Sequence, residues 1–200
     1  KKKFCIVGVD PDFNDLIFEN HKNYIGLITN FQNKKYLIND RWLGKENLND
    51  WKKIKKKFNP SVIIAINEGA QRKELSKIYT KNLINYIDKT AHVSKITLSS
   101  MKDKKGIVIN RFAYVSSNVE LNHGVKIHVR CNIHHDVKIG EYSTLSPSCV
   151  ILGGVRIGEN SFIGSGTIIN PNVNIGKNCV IGFGSVVTND VADNLTVYGV

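Results

Sequence analysis

The sequence predicts an α/β, Rossmann-like N-terminal domain followed by a left-handed parallel β-helix built from hexapeptide repeats. Two observations lead to this prediction. Strand-like and helix-like segments alternate up to about residue 90, and a six-residue repeat fills the second half. With 200 residues, 42% of them hydrophobic, the chain is long enough for two folded domains and too apolar for a disordered one.

A six-residue repeat runs through the second half of the chain. Every sixth residue is aliphatic, at Ile109, Val115, Leu121, Ile127, Ile133, Ile139, Leu145, Ile151, Ile157, Ile163, Ile169, Ile175, Ile181 and Val187. The residue four places after each of these is small. A period of six fits neither a helix nor a simple strand, but it fits a coil of three short strands. The aliphatic side chains would then fill the inside of a triangular prism.

Glycine follows the aliphatic residue in five of the repeats, at Gly140, Gly158, Gly164, Gly176 and Gly182. Glycine tolerates backbone conformations that other residues avoid. We therefore attribute these glycines to the sharp corners that join the sides of the prism.

The first half predicts a parallel sheet of the doubly wound kind, because strands and helices alternate. The predicted strands are 4–9, 24–28, 61–66 and 83–87, and the predicted helices are 12–20, 48–58 and 70–80. The β-helix would begin at 92–98, before a polar interruption at 102–106. This reading predicts two domains, residues 1–90 and 91–200.

The charge of the chain is unevenly distributed. Residues 1–106 contain 22 Lys and Arg against 11 Asp and Glu, whereas residues 107–200 contain six of each, so the net charge of +11 belongs to the first half. The lysines of 52–57 flank apolar residues at helical spacing, as on a solvent-facing helix. No nucleic-acid-binding motif accompanies them, and we expect no nucleic acid partner.

Cellular location is predicted from what the sequence lacks. No stretch approaches the ~18 apolar residues of a membrane-spanning helix. The apolar segment after Lys3 is too short for a signal-peptide core, and four cysteines are too few for a disulfide scaffold. We expect a cytoplasmic protein without membrane insertion.

Four segments carry a resemblance to one family. They are Ile64-Ala65-Ile66-Asn67-Glu68 with Arg72, Tyr86-Ile87-Asp88-Lys89-Thr90-Ala91, Ile133-His134-His135-Asp136-Val137-Lys138-Ile139-Gly140, and Val197-Tyr198-Gly199-Val200. They are similar to the A-I-G-x-N…R, I-H-P-x-A, I-x-H-[DE]-x-x-I-G and V-x-G-x-P-A segments of the PglD/NeuD-like sugar acetyltransferases. The resemblance covers nearly the whole chain. It implies a homotrimeric acetyltransferase with acetyl coenzyme A (acetyl-CoA) as co-substrate.

The resemblance also implies catalytic residues. His135 matches the family's general base, and Asp136 matches the acidic residue that orients it. Imidazole is a suitable base near neutral pH, and an amine or hydroxyl that attacks a thioester must lose a proton. His134 is the neighbouring alternative for this role. Matched by position, the acetyl-CoA contacts would be Thr144, Gly153, Ser165 and Phe183.

The resemblance implies a sugar substrate, and the sequence of the loop Gly8–Phe13 indicates which class of sugar it is. This loop keeps only one glycine of the family's G-x-G-G, and it brings two carboxylates to the place of the phosphates. Asp10, Asp12 and Asn67 are the candidate substrate contacts. The favoured reaction is N-acetylation of a nucleotide-linked amino sugar, and the alternative is O-acetylation of a sialic-acid-type sugar.

Two other classes of function remain as alternatives. His123 and His128 have the H-x4-H spacing of γ-class carbonic anhydrases, and His92 lies upstream, so three imidazoles could bind zinc. The α/β domain does not belong to that class, and we include no metal ligand among the predicted site residues. A non-catalytic scaffold, in which the β-helix serves assembly, is the other alternative.

Overall fold

The protein is described here as a computed structural model that covers residues 2–9, 13–20, 22–30 and 41–199. The chain divides into two compact units. Unit 1 comprises residues 1–67 and 71–84, and unit 2 comprises residues 68–70 and 85–200. The change from one unit to the other after residue 84 falls slightly earlier in the chain than the predicted boundary at residue 90.

Unit 1 contains a four-stranded, all-parallel sheet. Its strands are β1 (Phe4–Val7), β2 (Tyr24–Ile28), β3 (Trp42–Gly44) and β4 (Ser61–Ile64). They lie in the order β3-β2-β1-β4. The helices are α1 (Asn14–Glu19), α2 (Leu48–Phe58) and α3 (Gly69–Tyr79). The predicted alternation of strands and helices is confirmed for β1, α1, β2, α2, β4 and α3, whereas β3 was not predicted.

Helix α2 shows why the prediction of its ends succeeded. The side chain of Asn47 accepts a hydrogen bond from the Asp50 backbone N at 2.9 Å, which satisfies one of the free N–H groups at the helix start. Asn59 ends the helix in the left-handed conformation, with φ of 44°, immediately before Pro60. Trp51 and Ile54 are buried in the core of unit 1.

Unit 2 is a parallel β-helix of two-residue strands. Its first elements are β5 (Tyr86–Ile87), β6 (His92–Val93) and helix α4 (Lys95–Ser100). The remaining strands are β7 (Val108–Ile109), β8 (Tyr114–Val115), β9 (Glu120–Leu121), β10 (Lys126–Ile127), β11 (Asn132–Ile133), β12 (Lys138–Ile139), β13 (Thr144–Leu145), β14 (Val150–Ile151), β15 (Arg156–Ile157), β16 (Phe162–Ile163), β17 (Ile168–Ile169), β18 (Asn174–Ile175), β19 (Val180–Ile181), β20 (Val186–Val187) and β21 (Thr196–Val197).

The strands form three parallel sheets, of seven, six and four strands. The orders are β21-β19-β16-β13-β10-β7-β5, β20-β17-β14-β11-β8-β6 and β18-β15-β12-β9. Ile133 pairs with Ile151, which lies 18 residues and therefore one coil further along the chain. The predicted coil of three six-residue sides is confirmed.

The interior of the prism follows the predicted register. All fourteen aliphatic positions are buried, the most exposed being Val187 at 8%. The fourteen small positions are buried as well, up to Val191 at 9%. The hexapeptide pattern therefore identified both sets of inward-facing residues.

The explanation given for the repeat glycines was wrong. Gly140 and Gly158 are absent from the residues with positive φ. A Cβ at Gly140 would lie 2.5 Å from the backbone N of Glu159, and one at Gly158 would lie 2.5 Å from the backbone C of Gly176. These glycines are needed because successive coils approach closely. The left-handed conformations belong to other residues at the corners, such as Asp136 with φ of 62°.

Two predicted segments also differ from the structure. The segment 83–87 is not a fourth strand of the α/β sheet, because Leu83 makes one isolated bridge with Val62 whereas β5 pairs with β7 of the β-helix. The segment 92–98 is a strand only at β6, and then helix α4 begins. Ser94 starts this helix by accepting a hydrogen bond from the Ile96 backbone N at 3.3 Å.

Candidate functional site

His135 and Asp136 form a hydrogen-bonded pair at the corner that follows strand β11. The Nδ1 atom of His135 lies 2.7 Å from Oδ2 of Asp136, and the two side chains are 63% and 56% exposed. With Nδ1–H donating to the carboxylate, the Nε2 atom is left as an acceptor. The pair thus presents a basic nitrogen to solvent on a rigid wall.

Asn118, one coil before Asp136, is a member of the site that sequence reasoning missed. Asp136 adopts the left-handed conformation with φ of 62°, and its backbone N donates to the Ser117 carbonyl at 3.3 Å. Hydrogen bonds from His135 first, and from the Asn118 side chain second, hold the pKa of Asp136 below its usual value. The 18-residue spacing between Asn118 and Asp136 was the available signal.

Gly153, one coil after His135, lies against the imidazole ring. A Cβ at this position would be 2.9 Å from Cε1 and 3.0 Å from Nε2 of His135. The backbone N of Gly154 donates to the His135 carbonyl at 3.0 Å, which stacks the two corners. The structure therefore brings together three of the predicted site residues: His135, Asp136 and Gly153.

The other predicted acetyl-CoA contacts belong to a second side of the prism. Thr144 lies in β13 of the seven-stranded sheet, and its side chain is buried at 2% exposure. Ser165 and Phe183 stack at the corner that follows this sheet, where the Gly184 backbone N donates to the Ser165 carbonyl at 2.8 Å. Phe183 is 74% exposed. The six-stranded sheet spans the distance between this corner and the His135 corner.

Of the predicted substrate contacts, Asp10 and Asp12 lie outside the described residues. Asn67 follows β4, and its carbonyl accepts a hydrogen bond from Nη1 of the buried Arg72 at 2.6 Å. The same guanidinium nitrogen donates to the Ile66 carbonyl at 3.1 Å. The Arg72 side chain therefore fixes the backbone at the carboxyl end of β4.

Glu46 is a carboxylate of this region that was not predicted. It follows β3, and its Oε2 accepts a hydrogen bond from Nδ2 of Asn30 at 3.2 Å. Burial raises the pKa of Glu46, against hydrogen bonds from Asn30 and Gln71 that lower it. Both Asn30 and Glu46 stand just beyond the carboxyl ends of parallel strands, where open α/β sheets bind ligands.

The three histidines of the zinc alternative lie apart along the coil. His92 stacks on Tyr114 with ring centroids 5.2 Å apart, His123 accepts a hydrogen bond from the Lys105 backbone N at 3.1 Å, and His128 is buried. Within residues 2–9, 13–20, 22–30 and 41–199, no three His, Cys, Asp or Glu side chains are grouped to hold a metal ion.

Comparison with known proteins first defines the class of the repeat. Residues 154–189 match the bacterial transferase hexapeptide family (six repeats). No curated protein sequence matches the chain at a significant level.

Solved structures extend this likeness to the whole chain. A variant of GDP-perosamine N-acetyl transferase from Caulobacter crescentus, solved with CoA and GDP-perosamine, is 20% identical with a TM-score of 0.85 over 98% of this chain and 93% of that one. The acetyltransferase domain of PglB from Neisseria gonorrhoeae, in complex with acetyl coenzyme A, is 20% identical with a TM-score of 0.81 over 100% of this chain and 97% of that one. WeeI from Acinetobacter baumannii is 18% identical with a TM-score of 0.73 over 100% of this chain and 97% of that one.

These matches confirm, at the level of the fold, the resemblance to sugar acetyltransferases seen in the sequence. In the part of the chain that the structure describes, no helix is long and apolar enough to cross a membrane.

Proposed function

We propose that the protein transfers the acetyl group of acetyl-CoA to the amine of a nucleotide-linked amino sugar. The observation that carries this proposal is the His135–Asp136 pair, packed on Gly153, in a chain that shares its fold with GDP-perosamine N-acetyl transferase. That protein was solved with both CoA and its nucleotide sugar.

The proposed reaction follows from the hydrogen-bonding pattern of the pair. The sugar amine attacks the thioester carbonyl carbon while Nε2 of His135 accepts a proton from the nitrogen. Because Nδ1–H already donates to Asp136, the carboxylate stabilises the imidazolium that forms. The C–S bond then breaks, and the CoA sulfur leaves with the proton returned by His135. The low pKa of Asp136 keeps its carboxylate ionised throughout.

We assign the binding of the nucleotide sugar to residues 1–90 as a Rossmann-like domain. The parallel strand order β3-β2-β1-β4 is the order of the first four strands of a doubly wound sheet, which supports this assignment. Asp10, Asp12 and Asn67 remain the proposed substrate contacts.

Residues 91–200 would be the acetyltransferase domain, a left-handed β-helix in a homotrimer. Thr144, Gly153, Ser165 and Phe183 are its proposed acetyl-CoA contacts. The exposed ring of Phe183 and the face of the six-stranded sheet offer a surface for the pantetheine arm.

O-acetylation of a sialic-acid-type sugar is the second candidate. The carboxylates of Asp10 and Asp12 favour it, because they would repel a diphosphate at the loop that follows β1. A free sugar acid has no diphosphate to place there.

A thiol-release assay over a panel of acceptors tests these proposals. We expect CoA release with a GDP-, UDP- or dTDP-linked 4-amino sugar, and none with a free sialic acid. The His135→Ala variant should fail with the same acceptor. Turnover with the sialic acid alone would select O-acetylation. A folded protein that binds acetyl-CoA but acetylates no acceptor of the panel would contradict both candidates.

A further inference from the structure

Unit 1 contains a lysine-lined cleft that the proposed acetyl transfer does not use. The cleft lies between α2 and the end of α3, and its volume of about 430 Å³ is within the range of small-molecule pockets. Lys52 and Lys55 line it from α2, and Lys77 and Lys81 line it from the end of α3 and the turn that follows. Four lysine residues thus line one cavity.

The sequence of α2 explains why the cleft has a basic rim and an apolar floor. Leu48, Trp51, Lys52 and Lys55 are spaced i, i+3, i+4 and i+7, so they share one helix face. Trp51 is only 3% exposed and packs edge-on against Tyr79, with ring centroids 5.0 Å apart. Leu48 and Trp51 therefore form the apolar floor of the cleft, and Lys52 and Lys55 lie at its rim.

Hydrogen bonds connect the two sides of the cleft. The Nδ2 atom of the buried Asn82 donates to Oδ1 of Asn59 at 3.0 Å and to the Pro60 carbonyl at 2.8 Å. These bonds tie the turn after α3 to the end of α2. The two sides of the cleft are thus fixed relative to each other without a ligand.

Among the described residues, one of the four lysines of the cleft is paired with a carboxylate. Glu74 binds Lys77 through both carboxylate oxygens, at 2.7 and 2.9 Å. Lys52, Lys55 and Lys81 form no ion pair with any residue in the described ranges. Positive charges around one cavity repel one another, and a multivalent anion relieves that repulsion.

We propose that this cleft is a binding site for a ligand that carries two or more phosphate groups. The phosphates contact the ammonium groups of Lys52, Lys55 and Lys81, and the body of the ligand rests on the apolar floor. Lysine suits this chemistry because its ammonium is a compact charge with three donors. Such a ligand is either a free polyphosphate compound or the headgroup of an anionic lipid.

Helix α2 itself supplies a matched control for the test. Lys53 and Lys56 lie on the same helix but do not line the cleft. The double variants Lys52→Ala/Lys55→Ala and Lys53→Ala/Lys56→Ala lose the same charge from the same helix, and alanine favours the helix in both. Only the first pair removes ammonium groups from the cavity.

Calorimetric titration with pyrophosphate and sedimentation with phosphatidylglycerol vesicles provide the two probes. We expect the cleft variant to weaken binding of at least one probe by about tenfold or more, whereas the control variant changes it less than about twofold. Loss with pyrophosphate indicates a free polyphosphate ligand, and loss with vesicles alone indicates a lipid headgroup. Equal losses in the two variants, or no binding of either probe, would overturn the proposal.

Discussion

The imidazole ring of His135 rests on the α-carbon of Gly153, in the space that any other side chain would fill. A Cβ at Gly153 would stand 2.9 Å from Cε1 of the ring, closer than real side-chain contacts allow. Gly153 is not among the residues with positive φ, so its backbone does not require glycine. The absence of a side chain is therefore explained by the position of the ring that bears the proposed base.

Replacing Gly153 by alanine should displace the ring. We expect kcat for acetyl transfer to fall by about tenfold or more, because a misplaced general base loses part of its contribution. The thermal unfolding temperature should change little, since the backbone suits alanine. If KM for acetyl-CoA rises while kcat is unchanged, Gly153 serves the co-substrate and not the ring.

Removal of the proposed base should abolish most of the catalysis. His135→Ala is expected to lower kcat about a hundredfold or more, because general base catalysis contributes ~10²–10⁴ in rate. Asp136→Asn should lie between this variant and the wild type, since the amide cannot stabilise the imidazolium charge. His134→Ala is the matched control, and steady-state kinetics of the three variants provide the comparison. An inactive His134→Ala beside an active His135→Ala would show the assignment to be off by one residue.

The hydrogen bonds to Asp136 can be tested one at a time. Both donors lower the pKa of this carboxyl, and the bond from His135 is the larger cause. Asn118→Gly keeps the left-handed backbone at this position, where φ is 57°, but removes the donor. We expect carbon NMR titration to find the Asp136 pKa raised in Asn118→Gly and raised further in His135→Ala. An unchanged pKa in Asn118→Gly would exclude Asn118 from the site.

Acid should destabilise the end of the β-helix through Asp190. Its Oδ1 accepts from the Asn174 backbone N at 2.7 Å and its Oδ2 accepts from Asn174 Nδ2 at 3.1 Å, and these bonds lower the pKa of Asp190. A carboxyl with a lowered folded pKa adds stability above its unfolded pKa of about 3.9, and this stability is lost as the pH falls through the folded value.

The Asp190→Asn variant isolates that contribution. Its unfolding temperature should fall less between pH 5 and pH 3 than that of the wild type, because the amide does not titrate. Scanning calorimetry at the two pH values measures the difference. Equal falls in both proteins would mean that Asp190 contributes nothing to acid sensitivity.

The β-helix could be predicted in detail because each inward position repeats the same chemistry. Ile133 and Ile151 occupy equivalent places in successive coils. An inward-facing position that is ambiguous in one coil can therefore be assigned from the same position in the other coils. The short strand β3 had no such repetition, since three residues are too few to show the alternation typical of a strand. The segment 92–98 was predicted to begin the β-helix, yet Ile96 and Leu98 are exposed in the structure, at 58% and 40%. They belong to helix α4, which Ser94 starts.

The candidate site was predictable only where its chemistry lies within one segment. His135 and Asp136 are adjacent in the sequence, so a short motif contains them both. Asn118, in the coil before, hydrogen-bonds the Asp136 carboxylate, and Gly153, in the coil after, packs against the His135 ring. These contacts become visible only when the corners of successive coils are stacked in the structure. Glu46 was missed because its partner Asn30 is 16 residues away and follows a different strand, β2.

The strand order of the six-stranded sheet predicts which coils of the β-helix unfold locally first. Strand β11, which precedes His135, has β8 and β6 on one side and β14, β17 and β20 on the other. In a linear stack each layer is held only by its two neighbours, so opening starts at the ends and moves inward. The His135 corner therefore lies in the layers that open last. Amide hydrogens around Ile133 should exchange more slowly than those of β20. The proposed base would therefore keep its geometry while the outer coils unfold locally.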